Sequence, residues 1–183
     1  MPYDLPDDLA KLSLLDIAEA VAARRLPPVD QWHPGEVIDS KMRISADGTW
    51  YHEGSPIRRS AMIRAFSSLL MHDAADSRYY LVTPQCRQHI DVEDAPFLAV
   101  QMEHKDSALA FRLNTDEFVI AGPENPLRAE GDPDCPAIYL AVRHGCEARL
   151  NRSTWLELAH WALDRSDDLS VTSMGAHFSL QPK

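Results

Sequence analysis

An α+β fold built of two structurally similar halves, each with an antiparallel sheet and one main helix, is what this 183-residue sequence predicts. Three observations carry that expectation. The string Ile57-Arg58-Arg59-Ser60-Ala61-Met62-Ile63 reappears, loosely but in register, as Leu150-Asn151-Arg152-Ser153-Thr154-Trp155-Leu156. Each copy follows a strand-like stretch, Thr49-Trp50-Tyr51-His52 or Cys146-Glu147-Ala148-Arg149, then opens an amphipathic helix that leads into a β-rich run. Finally, the chain is long for one small domain and short for two independent ones, which favours two compact halves sharing an interface. The expected organisation is an N-terminal helix over residues 1–26, a first half over 27–94 and a second over 95–183. Arg-Ser before a helix means little alone, because serine commonly caps helices. The recurrence of hairpin, helix and strand in one order gives the repeat its weight.

The elements follow from local pattern. Residues 7–25 read as a helix with Asp7 or Asp8 as its cap, Leu9, Leu12, Leu15, Ile17 and Val21 at helical spacing, and Arg24-Arg25 at the negative end of its dipole. Pro27-Pro28 stop it, and residues 29–34 run on as an extended connector. Met42 and Ile44 pair with Trp50 and His52 in a hairpin turned by Asp47-Gly48 and closed by Gly54 and Pro56, since glycine supplies the positive φ such turns need. Ser60 starts a helix through Met71, with Met62, Ile63, Phe66, Leu69 and Leu70 as its apolar stripe. Strands are expected over residues 79–83, 88–92, 96–103, 108–113 and 117–121. The Pro/Gly/acid stretch 122–136 reads as a long mobile loop. A hairpin of residues 137–142 and 147–150 turns at His144-Gly145, Ser153 caps a helix to about Asp164, and a final strand covers 169–180.

Composition narrows the function. Eighteen basic against 28 acidic side chains leave a net charge of −10, which argues against a nucleic-acid polymer as partner because phosphate backbones need Lys and Arg. A small phosphorylated ligand stays possible, since one or two arginines suffice. Met1-Pro2-Tyr3-Asp4 lacks the basic start and apolar core of a secretory signal, and no window approaches the roughly 18 apolar residues of a membrane span. Three cysteines are too few to staple the chain, so a reduced, cytoplasmic protein is expected.

The constellations are sparse. Cys86-Arg87-Gln88-His89 with His144-Gly145-Cys146 resembles two halves of a zinc site, but Cys86 and His89 point to opposite faces if they share a strand. No metal is expected. Asp91, Glu93 and Asp94 could divide acid and base work, yet such a run is more often a solvated strand end. Trp32-His33-Pro34 and Trp50-Tyr51-His52 offer flat surfaces on which a base could stack, against ordinary core packing as the plainer reading. Arg43, Arg58, Arg59, Arg143, Arg149 and Arg152 fall on the hairpins and at the helix starts, where free N–H groups favour anions. Phosphate loops, dinucleotide fingerprints and nucleophile elbows are absent from the sequence.

Met42 to Ile57, Arg59, Tyr80-Leu81-Val82-Thr83-Pro84, Ile90-Asp91-Val92-Glu93-Asp94-Ala95-Pro96-Phe97 and Glu147-Ala148-Arg149-Leu150-Asn151-Arg152 together resemble a bacterial family known as domain of unknown function twelve eighty-five. The resemblance runs from Trp32 to the end, and Gln85-Cys86-Arg87 departs from it where an acidic-basic pair would be expected. It implies two repeated halves, the second superficially like a pleckstrin-homology barrel, a groove between them suited to a nucleotide-like ligand, and a role in signal transduction. No enzymatic activity and no cofactor come with it.

The expectation is therefore a non-catalytic module binding a small nucleotide-like ligand between the halves, without a nucleic-acid polymer or a membrane. Arg59 and Arg143 would meet phosphate, Thr83 would hydrogen-bond, Asp94 would hold the joining segment or contact a ribose, and Trp32 and Trp50 would supply flat surfaces. The alternatives are a protein-interaction adaptor and an enzyme using Cys86, His89 and Asp91.

Overall fold

Ser13, rather than an aspartate, begins the N-terminal helix. The computed structural model describes residues 9–183, so Met1-Pro2-Tyr3-Asp4 and the expected caps Asp7 and Asp8 lie outside the described residues. A single 3₁₀ turn, Leu9–Lys11, leads into α1 (Leu14–Ala23). Ser13 Oγ accepts the Asp16 amide at 3.1 Å while Asp16 Oδ2 accepts the Ser13 amide at 2.9 Å, a capping box that satisfies two otherwise orphaned donors. Leu9 and Ile17 are buried against Ala110 and Phe118, with Leu12 and Ala20 beside them. Leu15 and Val21, counted in the predicted stripe, face outward. Arg24, the C-cap, forms an ion pair with the buried Glu117.

The first sheet follows a 3₁₀ turn at Val29–Gln31. Its strands are β1 (Glu36–Ile44), β2 (Trp50–His52), β3 (Ser55–Pro56), then, after α2 (Ser60–Ser67), β4 (Leu70–Asp73), β5 (Arg78–Val82) and β6 (Cys86–Val92). Neighbours run in the order β3-β2-β1-β6-β5-β4. The predicted hairpin pairs as expected, Met42 with His52 and Ile44 with Trp50. One expectation needs amending: β1 lies parallel to β6, so this sheet is mixed rather than antiparallel. Its register shifts between Asp39 and Met42, where Ser40 Oγ donates to the His89 carbonyl at 2.6 Å.

The second helix is shorter than predicted. It ends at Ser67, because Leu70, Met71 and His72 pair in register with Leu81, Tyr80 and Tyr79. A sheet neighbour that satisfies the backbone overrides the local helical pattern. Alternation then sorts the faces. Leu81, Ile90, Met42, Ile44 and Trp50 are buried, and the Trp50 ring stacks on Phe66 of α2 at 6.3 Å. Tyr80 and Val82 cluster with Val29, and Trp32, Leu69 and Met71 pack around them.

The second sheet contains β7 (Phe97–Lys105), β8 (Ala108–Leu113), β9 (Phe118–Ile120), β10 (Leu127–Asp132), β11 (Cys135–Arg143) and β12 (Cys146–Leu150), ordered β10-β11-β12-β7-β8-β9. The predicted loop 122–136 is corrected here. Leu127 to Asp132 pair with Leu140 to Cys135 as an outermost strand, a position where Gly and Pro near the strand are tolerated. Helix α3 (Arg152–Leu163) is capped by Asn151, whose side chain accepts the Thr154 amide at 2.9 Å, not by Ser153. The expected final strand is a hairpin, β13 (Ser170–Ser173) with β14 (Ala176–Ser179), turned at Met174-Gly175.

Numbered from its own first strand, each six-stranded sheet has the same order, 3-2-1-6-5-4. The halves are therefore alike in topology, and the α+β class stands. The repeated helix start is not the trace of that likeness. Helix α2 follows the third strand of its sheet, whereas α3 follows the sixth. Even the cap is offset: Arg59 is the N-cap of α2, while Arg152 already lies within α3. Compact units group residues 25–97 with Val142–Glu147, and Leu98–Ala141 with Ala148–Lys183 and the described residues up to Arg24.

Candidate functional site

Proline and tryptophan shape one wall of a cavity in the unit of residues 25–97. After the 3₁₀ turn, Trp32 is extended (φ −94°, ψ 125°), and its ring packs against the Val29, Tyr80 and Val82 cluster. The cavity holds about 300 Å³ and is lined by Asp30, Trp32, His33, His72, Asp73 and Arg87 together with small and apolar neighbours. Two strand ends, those of β4 and β6, face the connector across it. That volume sits at the lower end of small-molecule sites, which run from about 300 to 1,000 Å³.

Asp73 and Arg87 pair within the polar wall, although the buried Arg87 Nε has no hydrogen-bond partner among the described residues. Arg87 Nη2 donates to Asp73 Oδ2 at 2.6 Å, and the Arg87 guanidinium carbon lies 3.9 Å from the centre of the Tyr80 ring. Tyr80 is held in turn, its hydroxyl donating to Asp76 at 2.6 Å. Asp73 also accepts the Ala75 amide at 3.0 Å. That backbone bond, and next the Arg87 contact, keep the Asp73 carboxyl below the usual carboxylate range. His72 stacks obliquely on Tyr79 at 4.7 Å, and its amide donates to the His144 carbonyl. Burial pushes His144 below the usual histidine value, with the Arg143 charge adding to the effect and Asp30 opposing it.

Of the six predicted site residues, Trp32 alone lines this cavity. Trp50 is fully buried in the core and presents no face to a ligand. Arg59 is exposed at the start of α2. Thr83 is committed to a tight turn, its hydroxyl donating to the Cys86 carbonyl at 3.1 Å and accepting the Cys86 amide at 3.2 Å. Asp94 is half-buried beyond β6. Arg143 donates to the Ser67 carbonyl at 3.1 Å and lies over the Phe97 ring. Cys86 and His89 share β6 three residues apart and so fall on opposite faces. Among the described residues, no three His, Cys, Asp or Glu side chains gather as metal ligands.

Sequence reasoning missed His72, Asp73 and Arg87 as cavity residues. His72 and Asp73 stand just past the predicted end of the helix, and Arg87 enters the sequence reading only within the Cys86–His89 motif and the departure from the family pattern. A signal was present: His72-Asp73 precedes a turn rich in Ala, Asp and Ser, the usual sign of a strand end.

Comparison with known proteins places this architecture. Residues 27–95 match the model described as "Domain of unknown function (DUF1285), N-terminal domain", and residues 96–180 match its C-terminal counterpart. A crystal structure of a DUF1285 family protein from Silicibacter pomeroyi DSS-3 is 37% identical, covers 93% of this chain and 95% of its own, and superposes with a TM-score of 0.77. The chain belongs to the DUF1285 family. A second DUF1285 structure, from Shewanella baltica OS155, shares the fold at 23% identity and a TM-score of 0.53, covering 65% of this chain and 90% of its own. No curated protein matches the chain. The cavity of this DUF1285 member lies wholly within the stretch matched by the N-terminal model. No helix among its described residues is long and apolar enough to cross a membrane.

Proposed function

We propose that the chain is a non-catalytic small-molecule-binding module whose ligand carries a flat, nucleotide-like ring, and that it serves signal transduction by sensing that ligand. The carrying observation is the cavity walled by Trp32. A half-buried indole already packed on the core offers a stacking surface that need not be ordered on binding, and such stacking is worth about 1–3 kcal/mol per base. The polar groups behind it favour recognition over turnover. Asp73 stays ionised through its bonds to Ala75 and Arg87, so it is poorly matched to proton transfer near neutral pH.

The test is calorimetric titration of the native chain with a panel of nucleobases, nucleosides and nucleotides, repeated on Trp32→Ala. Saturable binding that the substitution weakens by tenfold or more supports the reading. A panel without any binder, or binding indifferent to Trp32, removes it.

A further inference from the structure

We infer that the cavity selects an uncharged nitrogen heterocycle of nucleoside size and rejects its phosphorylated form. This rests on the preceding reading of the same site and adds the charge class of the ligand. Its lining carries two carboxylates, Asp30 and Asp73, against one guanidinium, Arg87. That guanidinium is not on offer to a phosphate. It bonds Asp73 at 2.6 Å and lies 3.9 Å above the Tyr80 ring, while the Tyr80–Asp76 bond keeps the ring beneath it. Turning Arg87 toward an anion would break the pair and leave the Asp73 charge facing the incoming one.

The same groups suit a neutral ring. Trp32 provides the stacking face, and Asp30, exposed at the rim, is an acceptor for ring or exocyclic N–H groups. His33 and His72 each offer a ring nitrogen that donates or accepts according to tautomer. Size is compatible, because about 300 Å³ is enough to seat one ring system.

Matched pairs decide the matter: each common nucleoside against its 5′-monophosphate, titrated calorimetrically into the native chain and into Asp30→Asn. The native chain should bind at least one nucleoside tenfold or more tightly than its monophosphate. Asp30→Asn should narrow that gap to threefold or less, since it removes one of the two repelling charges. A monophosphate that binds as well as its nucleoside overturns the charge assignment while leaving a small-molecule module standing. So does a gap that Asp30→Asn leaves unchanged. Silence across every pair overturns both readings.

Discussion

The backbone amide of His72 donates a 2.9 Å hydrogen bond to the carbonyl oxygen of His144. His72 lies on β4, the last strand of its sheet, and His144-Gly145 is the two-residue turn between β11 and β12. Both turn residues have positive φ, 48° and 74°, the geometry that suits a tight hairpin. A Cβ on Gly145 would stand 3.0 Å from the His72 oxygen and 3.2 Å from its Cβ. Gly145→Ala should therefore cost about 2 kcal/mol, combining left-handed strain with a collision against backbone. Urea denaturation checks the cost. Because His72 lines the cavity, the binding proposed above should weaken as well in a calorimetric titration.

His144 makes stability depend on pH. Burial holds its folded-state value below 6.5, so the unfolded chain takes up a proton first as pH falls. The contribution is complete above about pH 6.5 and is lost progressively below it. Between pH 7.5 and 5.5 the urea midpoint of the native chain should fall further than that of His144→Gln. Parallel falls in the two proteins would sink this assignment.

Helix caps yield a contrast. Asn151→Ala should destabilise by about 1 kcal/mol, because the Thr154 amide loses its acceptor. Arg59 caps α2 with no side-chain bond, so Arg59→Asp should stabilise by about 0.5–1 kcal/mol. Thermal melts of the two variants should move in opposite directions.

Glu117 is 5% exposed and accepts both from Arg24 and from the Thr115 hydroxyl. Arg24→Met removes a charge partner from that buried carboxylate. Removing one member of such a pair costs about 3–5 kcal/mol. The partial exposure of Arg24, 28%, places the expectation nearer the lower figure, and hydrogen exchange should show α1 opening more readily.

Pattern made the hairpin from Met42 to His52 legible, since alternation and an Asp-Gly turn agree there. Both main helices were legible in position, as were the start of α2 at Ser60 and the end of α3 near Asp164, but not the end of α2 or the cap of α3. Leu69 and Leu70 continue a helical stripe, and only the Leu81 partner, distant in sequence, makes Leu70 a strand residue. Leu127 failed for the opposite reason: turn-forming neighbours hid an outermost strand whose pairing is supplied by β11. Trp32 could be named as a flat surface with Trp50, core packing being the plainer reading of both, and the structure separates them: Trp50 is core and Trp32 lines the cavity. Arg87 could not, because nothing local reveals that Asp73 lies across the sheet from it.

The shared strand order sets a timetable for folding. In the first sheet the antiparallel neighbours are linked by turns of a few residues, so β1-β2-β3 and β4-β5-β6 can each zip up as a local meander within microseconds. The parallel β1–β6 contact is different: Ser40 and His89, bonded across it, stand 49 residues apart. Closing that separation is the slow, entropically costly event. The midline of the sheet is thus a kinetic seam, and truncating Ile44 or Ile90, which pair across it, should slow refolding.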